Sequence, residues 1–240
     1  MSSDEKKEKK SGCYLTTAIS TMVFVVLIKL LWPNSIPFKL FEFWRFNGSW
    51  VDVFRTSWPL LFWGIGFTAI ASAVTRNDPK ENRHPGLFFT FEGISSVIAG
   101  VFEEISFRWM IFYGAIIGAI VSNFLFFGFL GFGIPEWIFN NIAGPVANFL
   151  TLGYLKEYLF GPLGWTVGAA IISANGKFRD GHMYKGIIGW INSWFGGMFF
   201  FYLMFTYGLL ASILIHFLYD IFIYCIRLVD RIVEQKLGWI

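Results

Sequence analysis

The chain is a succession of long apolar runs separated by short polar breaks, and the runs are continuous rather than alternating. A bilayer core of about 30 Å takes roughly 20 apolar residues as a helix. Backbone groups in lipid must be satisfied internally, which leaves helices or closed barrels. A barrel strand alternates apolar with polar positions, so these runs exclude it. The pattern predicts helices over Tyr14–Trp32, Trp58–Thr75, Leu87–Tyr113, Gly114–Phe132, Trp137–Leu155, Leu163–Asn175, Ile187–Phe205 and Thr206–Ile226. The expected fold class is all-α: a polytopic transmembrane helix bundle of about eight spans, or seven if the short sixth run is re-entrant. Residues 1–13 read as a solvated N-terminal tail and 14–226 as one membrane-embedded domain. The motif-bearing core of that domain is 87–226, and 227–240 reads as a C-terminal tail.

Composition strengthens this picture. Of 240 residues, 55% are hydrophobic and only 15% charged, against about 25% charged in an average soluble chain. Thirty Phe and eleven Trp suit lipid and membrane-interface contact. The net charge of +3 is scattered in short connections, which leaves no basic face for nucleic acid. Lys and Arg concentrate in the N-terminus, 76–83, 177–185 and the C-terminus, so both termini are expected in the cytoplasm. Lys29, close to a helix end, is expected to snorkel outward. Two cysteines, Cys13 and Cys225, make no disulfide framework.

The third apolar run contains charges that a span should not carry. Glu103, Glu104 and Arg108 fall within six residues, and each ionised group near the bilayer centre costs about 2.5–3.5 kcal/mol. Glu104 and Arg108 are four apart on one helix face, in the favoured Glu-before-Arg order. Glu103 then points about 100° away. His216 and Asp220 are likewise four apart in an apolar helix. His182 follows Phe178 in Phe178-Arg179-Asp180-Gly181-His182, and the third histidine, His84, lies in a polar loop. Two His, two Glu, an Arg and an Asp from hydrophobic helices are expected to converge on one site.

These residues, in this order, resemble the signature of the CPBP family of intramembrane proteases: Glu-Glu-x-x-x-Arg, then Phe-x-x-x-His, then His-x-x-x-Asp/Asn. The family takes in CAAX prenyl endopeptidases and Abi-type bacterial membrane proteins. The likeness covers about the C-terminal 140 residues. It implies hydrolysis of a peptide bond by a glutamate-activated water, with no metal and no cofactor. It assigns Glu103 as general base holding the water with His182, and His216 and the residue at 220 to the oxyanion. Glu104 and Arg108 orient the site or meet a substrate carboxylate. Asp220 stands where many relatives carry Asn, and an ionised Asp cannot donate to an oxyanion. The implied partners are the bilayer and a peptide or protein substrate, prenylated or membrane-embedded.

Three other readings share these residues. One is a metal shell of His182, His216, Glu103 and Asp220. Another is a catalytically inert membrane partner, such as an immunity or assembly factor, in which the charges are structural pairs. The third is a proton-coupled transporter, although the matching halves common in transporters are not visible in the sequence.

Overall fold

The computed structural model describes residues 3–75, 94, 98, 100–161, 164–183 and 186–236. Among the described residues there are eight helices and no strand. They are α1 (Ser3–Leu31), α2 (Trp50–Thr75), α3 (Gly100–Leu125), α4 (residues 134–150), α5 (Lys156–Phe160), α6 (Trp165–Gly181), α7 (Gly186–Tyr207) and α8 (Leu209–Lys236). Three segments are long and apolar enough to cross a bilayer: α3, α7 and Leu209–Asp230 of α8. The fold is therefore all-helical and that of a membrane protein. The apolar part of α1, Thr16–Leu31, is shorter.

Several boundaries differ from the sequence reading, each for a local reason. One helix runs through Gly114, where two spans were expected to meet. A side chain at Gly114 would overlap Thr21 of α1, so this glycine permits close packing and interrupts nothing. Helix α4 stops at Leu150 rather than Leu155. The Thr151 hydroxyl folds back onto Ala147 O at 2.8 Å, and the chain then reverses through Leu152 and Gly153 at φ 50° and 79°. Helix α6 continues past Asn175 to Gly181, so Phe178 and Arg179 belong to its last turn and not to a connection. Gly208, at φ 100°, makes the turn between α7 and α8. The backbone is already helical at Ser3, and α8 extends through Lys236, so both expected tails are at least partly helix. The 77–85 connection, His84 and the expected helix starts at Leu87 and Leu163 lie outside the described residues.

Helix α3 is the hub. It packs against α1, α6 and α8, while α7 lies against α6 and α8. Lipid offers no hydrophobic drive between helices, so close packing must hold them together. Phe112, Ile116, Ala170, Ile171, Ala174 and Phe201 are all buried between these helices. At Gly100 a Cβ would lie 3.2 Å from the backbone N of Phe217. The backbones of α3 and α8 thus nearly touch one turn before Glu103 and beside His216.

The loop from 32 to 49 packs against the middle of α3 and the end of α7. Lys29 Nζ donates to Ile36 O at 3.2 Å and Phe38 O at 2.6 Å, turning to these carbonyls instead of outward as expected. Trp109 Nε1 donates to Leu40 O and the Tyr113 hydroxyl to Lys39 O, each at 2.6 Å. Asn47 N donates to Tyr207 O at the end of α7. His182 precedes Gly186, the end of α7 remote from Tyr207, while Trp109, next to Arg108, connects the loop to α3.

Candidate functional site

The site lies where the start of α3, the end of α6 and the middle of α8 meet. From Glu104 to Ile111, α3 widens into a π-helix, a form rare enough that it often marks functional positions. Glu104 and Arg108 lie on this widened turn and are both 0% exposed. Arg108 Nη1 is 3.3 Å from Glu104 Oε1, the expected pair. Two further contacts reach the same carboxylate. His216 Nδ1 lies 2.9 Å from Oε1, and the Ser212 hydroxyl donates to Oε2.

Glu103 does not face elsewhere, as its helix angle had suggested. Its Oε1 is 3.6 Å from His182 Nε2 and its Oε2 is 3.8 Å from His216 Nε2. The imidazole of His216 therefore lies between the two adjacent glutamates, with Glu104 at Nδ1 and Glu103 on the Nε2 side. A flat ring with nitrogens on two edges spans the divergence of neighbouring helical side chains. Asp220 Oδ2 also approaches His216 Nε2, at 3.8 Å. All six residues singled out in the sequence thus share one cluster. Glu103 and Asp220 are its accessible members, with side chains 29% and 28% exposed.

The ring nitrogens can be assigned from their partners. His182 Nδ1 is 2.8 Å from Phe178 O, and a carbonyl only accepts, so Nδ1 carries the proton. Glu104, an ionised acceptor beside Arg108, makes the same demand of His216 Nδ1. Each Nε2 is then turned toward Glu103. The spacing Phe-x-x-x-His has a direct local meaning: the carbonyl four residues back in the last turn of α6 holds the ring. The polar residues within that motif turn away. Asp180 Oδ1 accepts from Arg179 Nε at 2.9 Å and Trp190 Nε1 at 3.0 Å, and the Arg179 guanidinium lies 4.1 Å over the Trp190 ring. This clamp ties α6 to α7 and leaves His182 buried despite its polar neighbours.

Aromatic rings close the rest of the site. Phe200 stacks on His216 at 4.4 Å and 20°, and Phe178 presents its edge to His216 at 6.1 Å. The Arg108 guanidinium lies 3.9 Å over Phe178, with Phe200 and Phe201 at 5.5 and 5.6 Å. Among the described residues no acceptor hydrogen-bonds Arg108 Nε, Nη1 or Nη2. Its charge is met by Glu104 and by ring faces, which attract cations. Buried in this way, Arg108 supports Glu104 and has no open side toward a substrate carboxylate.

Sequence reasoning did not give Ser212, Asn175, Gly197 or Phe200 a place in the site. Asn175 is buried and donates to Trp194 O at 2.9 Å. Gly197 packs directly against its amide and against Arg108. The sequence signal available was Asn175 itself, a polar residue within an apolar run. Among the described residues no group of three or more His, Cys, Asp or Glu side chains is disposed to hold a metal ion. No protein-family model, curated protein or solved structure matches this chain.

Proposed function

We propose that this chain is an intramembrane endopeptidase of the CPBP type, hydrolysing a peptide bond of a membrane-embedded or lipid-modified, CAAX-like substrate. The reading rests on one observation above the others: an accessible carboxylate, Glu103, faces Nε2 of two histidines whose Nδ1 atoms are both engaged elsewhere. In this mechanism Glu103 takes a proton from water while His182 Nε2 accepts the second hydrogen and orients the nucleophile. The hydroxide adds to the scissile carbonyl carbon. Glu103 then passes its proton to the departing amine as the C–N bond breaks. General-base assistance of this kind contributes roughly 10²–10⁴-fold.

The oxyanion falls to His216. As an imidazolium it has Glu104 at Nδ1 and the carboxylates of Asp220 and Glu103 facing Nε2. Its Nε2–H is then the donor, and a well-aimed donor contributes roughly 3–4 kcal/mol. Asp220 need not donate at all; its carboxylate complements the imidazolium charge. The same proposal takes further helices as spans beside α3, α7 and α8. Because the runs expected to meet at Gly114 are one helix and α5 has five residues, the spans among the described residues number at most seven. Placing both termini in the cytoplasm requires an even number of them.

The test is peptide cleavage by detergent-purified protein, wild type beside Glu103→Gln, against prenylated C-terminal peptides and plain transmembrane peptides. Mass spectrometry reads the products with and without chelator. Wild type is expected to cut with chelator present, and Glu103→Gln to be folded and inactive. Equal cleavage by both proteins refutes the assignment of the base, and loss of cleavage with chelator transfers the site to metal chemistry.

A further inference from the structure

We infer that Ser212, one turn before His216 on α8, is a positioning residue that fixes the His216 imidazole through Glu104. The hydroxyl is fully buried and reaches two acceptors, Glu104 Oε2 and Phe200 O, the latter at 3.0 Å. A hydroxyl has one proton, and an ionised carboxylate is the stronger acceptor, so that proton goes to Glu104. Arg108 gives Glu104 charge but no aligned hydrogen bond, since its nitrogens have none. The carboxylate's hydrogen bonds therefore come from Ser212 on one oxygen and His216 on the other. Among the described residues Oε2 has no other hydrogen-bond donor, so without the hydroxyl the carboxylate is free to turn away from Nδ1.

With its proton on Glu104, the hydroxyl makes only a non-bonded contact with Phe200 O at 3.0 Å. Its hold on the ring therefore runs through Glu104 alone, while Phe200 stacks on the imidazole independently. The spacing explains why a hydroxyl fits at 212: residues four apart share a helix face, so Ser212 and His216 meet Glu104 together, Ser212 at one oxygen and His216 at the other. The positioning stands on this geometry alone, whereas its catalytic consequence rests on the endopeptidase reading.

The experiment is nitrogen-15 NMR of histidine-labelled full-length protein in detergent, comparing wild type with Ser212→Ala. The chain has three histidines, so His→Gln variants assign each signal. A hydrogen-bonded Nδ1–H is expected for His182 and for His216, whichever charge state His216 holds. In Ser212→Ala the His216 Nδ1–H should exchange with solvent roughly tenfold faster or vanish, in line with losing a charge-assisted hydrogen bond. The His182 signal, held by Phe178 O, should not move, and it reports that α6 and its last turn remain folded. If Ser212→Ala does not fold, Ser212→Cys, of near-equal size and a weak donor, should show the same loss in part. An unchanged His216 signal in a folded variant overturns the inference. Cleavage assays run alongside should show kcat reduced about tenfold at unchanged KM. A wild type that cleaves nothing, with the NMR difference intact, overturns the endopeptidase reading while leaving the positioning role standing.

Discussion

Gly197 is where the packing of the site is least forgiving. A Cβ at this position would overlap Asn175 Oδ1 outright and lie 2.8 Å from Arg108 Nη2 and 2.9 Å from Phe178 Cδ1. None of these neighbours can retreat easily. The Asn175 amide is buried and tied to Trp194 O, Arg108 is enclosed by rings, and Phe178 is wedged between Arg108 and both histidines. Overpacking a close-packed interior costs about 1–3 kcal/mol, and losing the Asn175 hydrogen bond adds about 1 kcal/mol. Gly197→Ala should thus destabilise by about 2–4 kcal/mol, a large share of a typical domain's stability. For a chain of this size that lowers Tm by roughly 5–15 °C.

The control is the neighbouring residue. Gly196 has only Phe200 Cε2, at 3.9 Å, near its missing side chain. Helical Gly→Ala without a clash gains roughly 0.5–1 kcal/mol, so Gly196→Ala should be neutral or stabilising. Thermal unfolding in detergent, followed by tryptophan fluorescence, separates the two. Adding Asn175→Ala to Gly197→Ala removes the amide the methyl strikes, so the double variant should lose less than the sum of the singles. Equal Tm values for Gly196→Ala and Gly197→Ala would falsify the claim that α7 presses on the Arg108 cage.

The remaining predictions probe the charges and the clamp. Arg108→Leu leaves Glu104 buried without its counter-charge, and should cost about 3–5 kcal/mol, read as loss of folded protein on size-exclusion chromatography. Glu103→Gln, by contrast, should leave Tm within about 2 °C of wild type, since its side chain is partly exposed, Gln keeps its shape, and such changes are usually within about 0.5 kcal/mol. Asp180→Ala frees Trp190 and Arg179. It should lower kcat about tenfold through a loosened His182, with the His182 Nδ1–H signal broadened, and an unaltered signal would rule out this route from clamp to ring.

The chemistry was more legible in the sequence than the helix limits. Charged and histidine residues in apolar runs stand out because lipid penalises them so heavily, and all six come together in the fold. Hydropathy carries no such signal at Gly114 or Asn175. A glycine within an apolar run reads the same whether it breaks a helix or lets another approach, and only Thr21 across the contact decides it. Asn175 reads as a helix end, whereas its amide finds a carbonyl on α7. The angle between Glu103 and Glu104 also suggested separate surroundings. A ring that accepts neighbours on two edges is a property of the partner, which no spacing on α3 contains.

The division within the cluster bears on the rival readings. Its inner half, Glu104, Arg108, Ser212 and His216 Nδ1, is sealed, and its opposite charges are matched within the fold. A scaffold needs only this half: it joins α3 to α8 and satisfies its own carboxylate. The outer half is more open. Glu103 lies 3.6 Å from His182 Nε2, and Glu103 and Asp220 each approach His216 Nε2 at 3.8 Å, longer than a hydrogen bond. A scaffold can use these carboxylates as counter-charges to the imidazoles, but it has no need of their exposure. A site that must receive a proton at Glu103 and face a developing negative charge at His216 Nε2 does need it. The inert partner therefore predicts that Glu103 and Asp220 can be replaced together by Gln and Asn with stability unchanged and function retained. The endopeptidase predicts unchanged stability with function lost, so function, not folding, is the measurement that separates them.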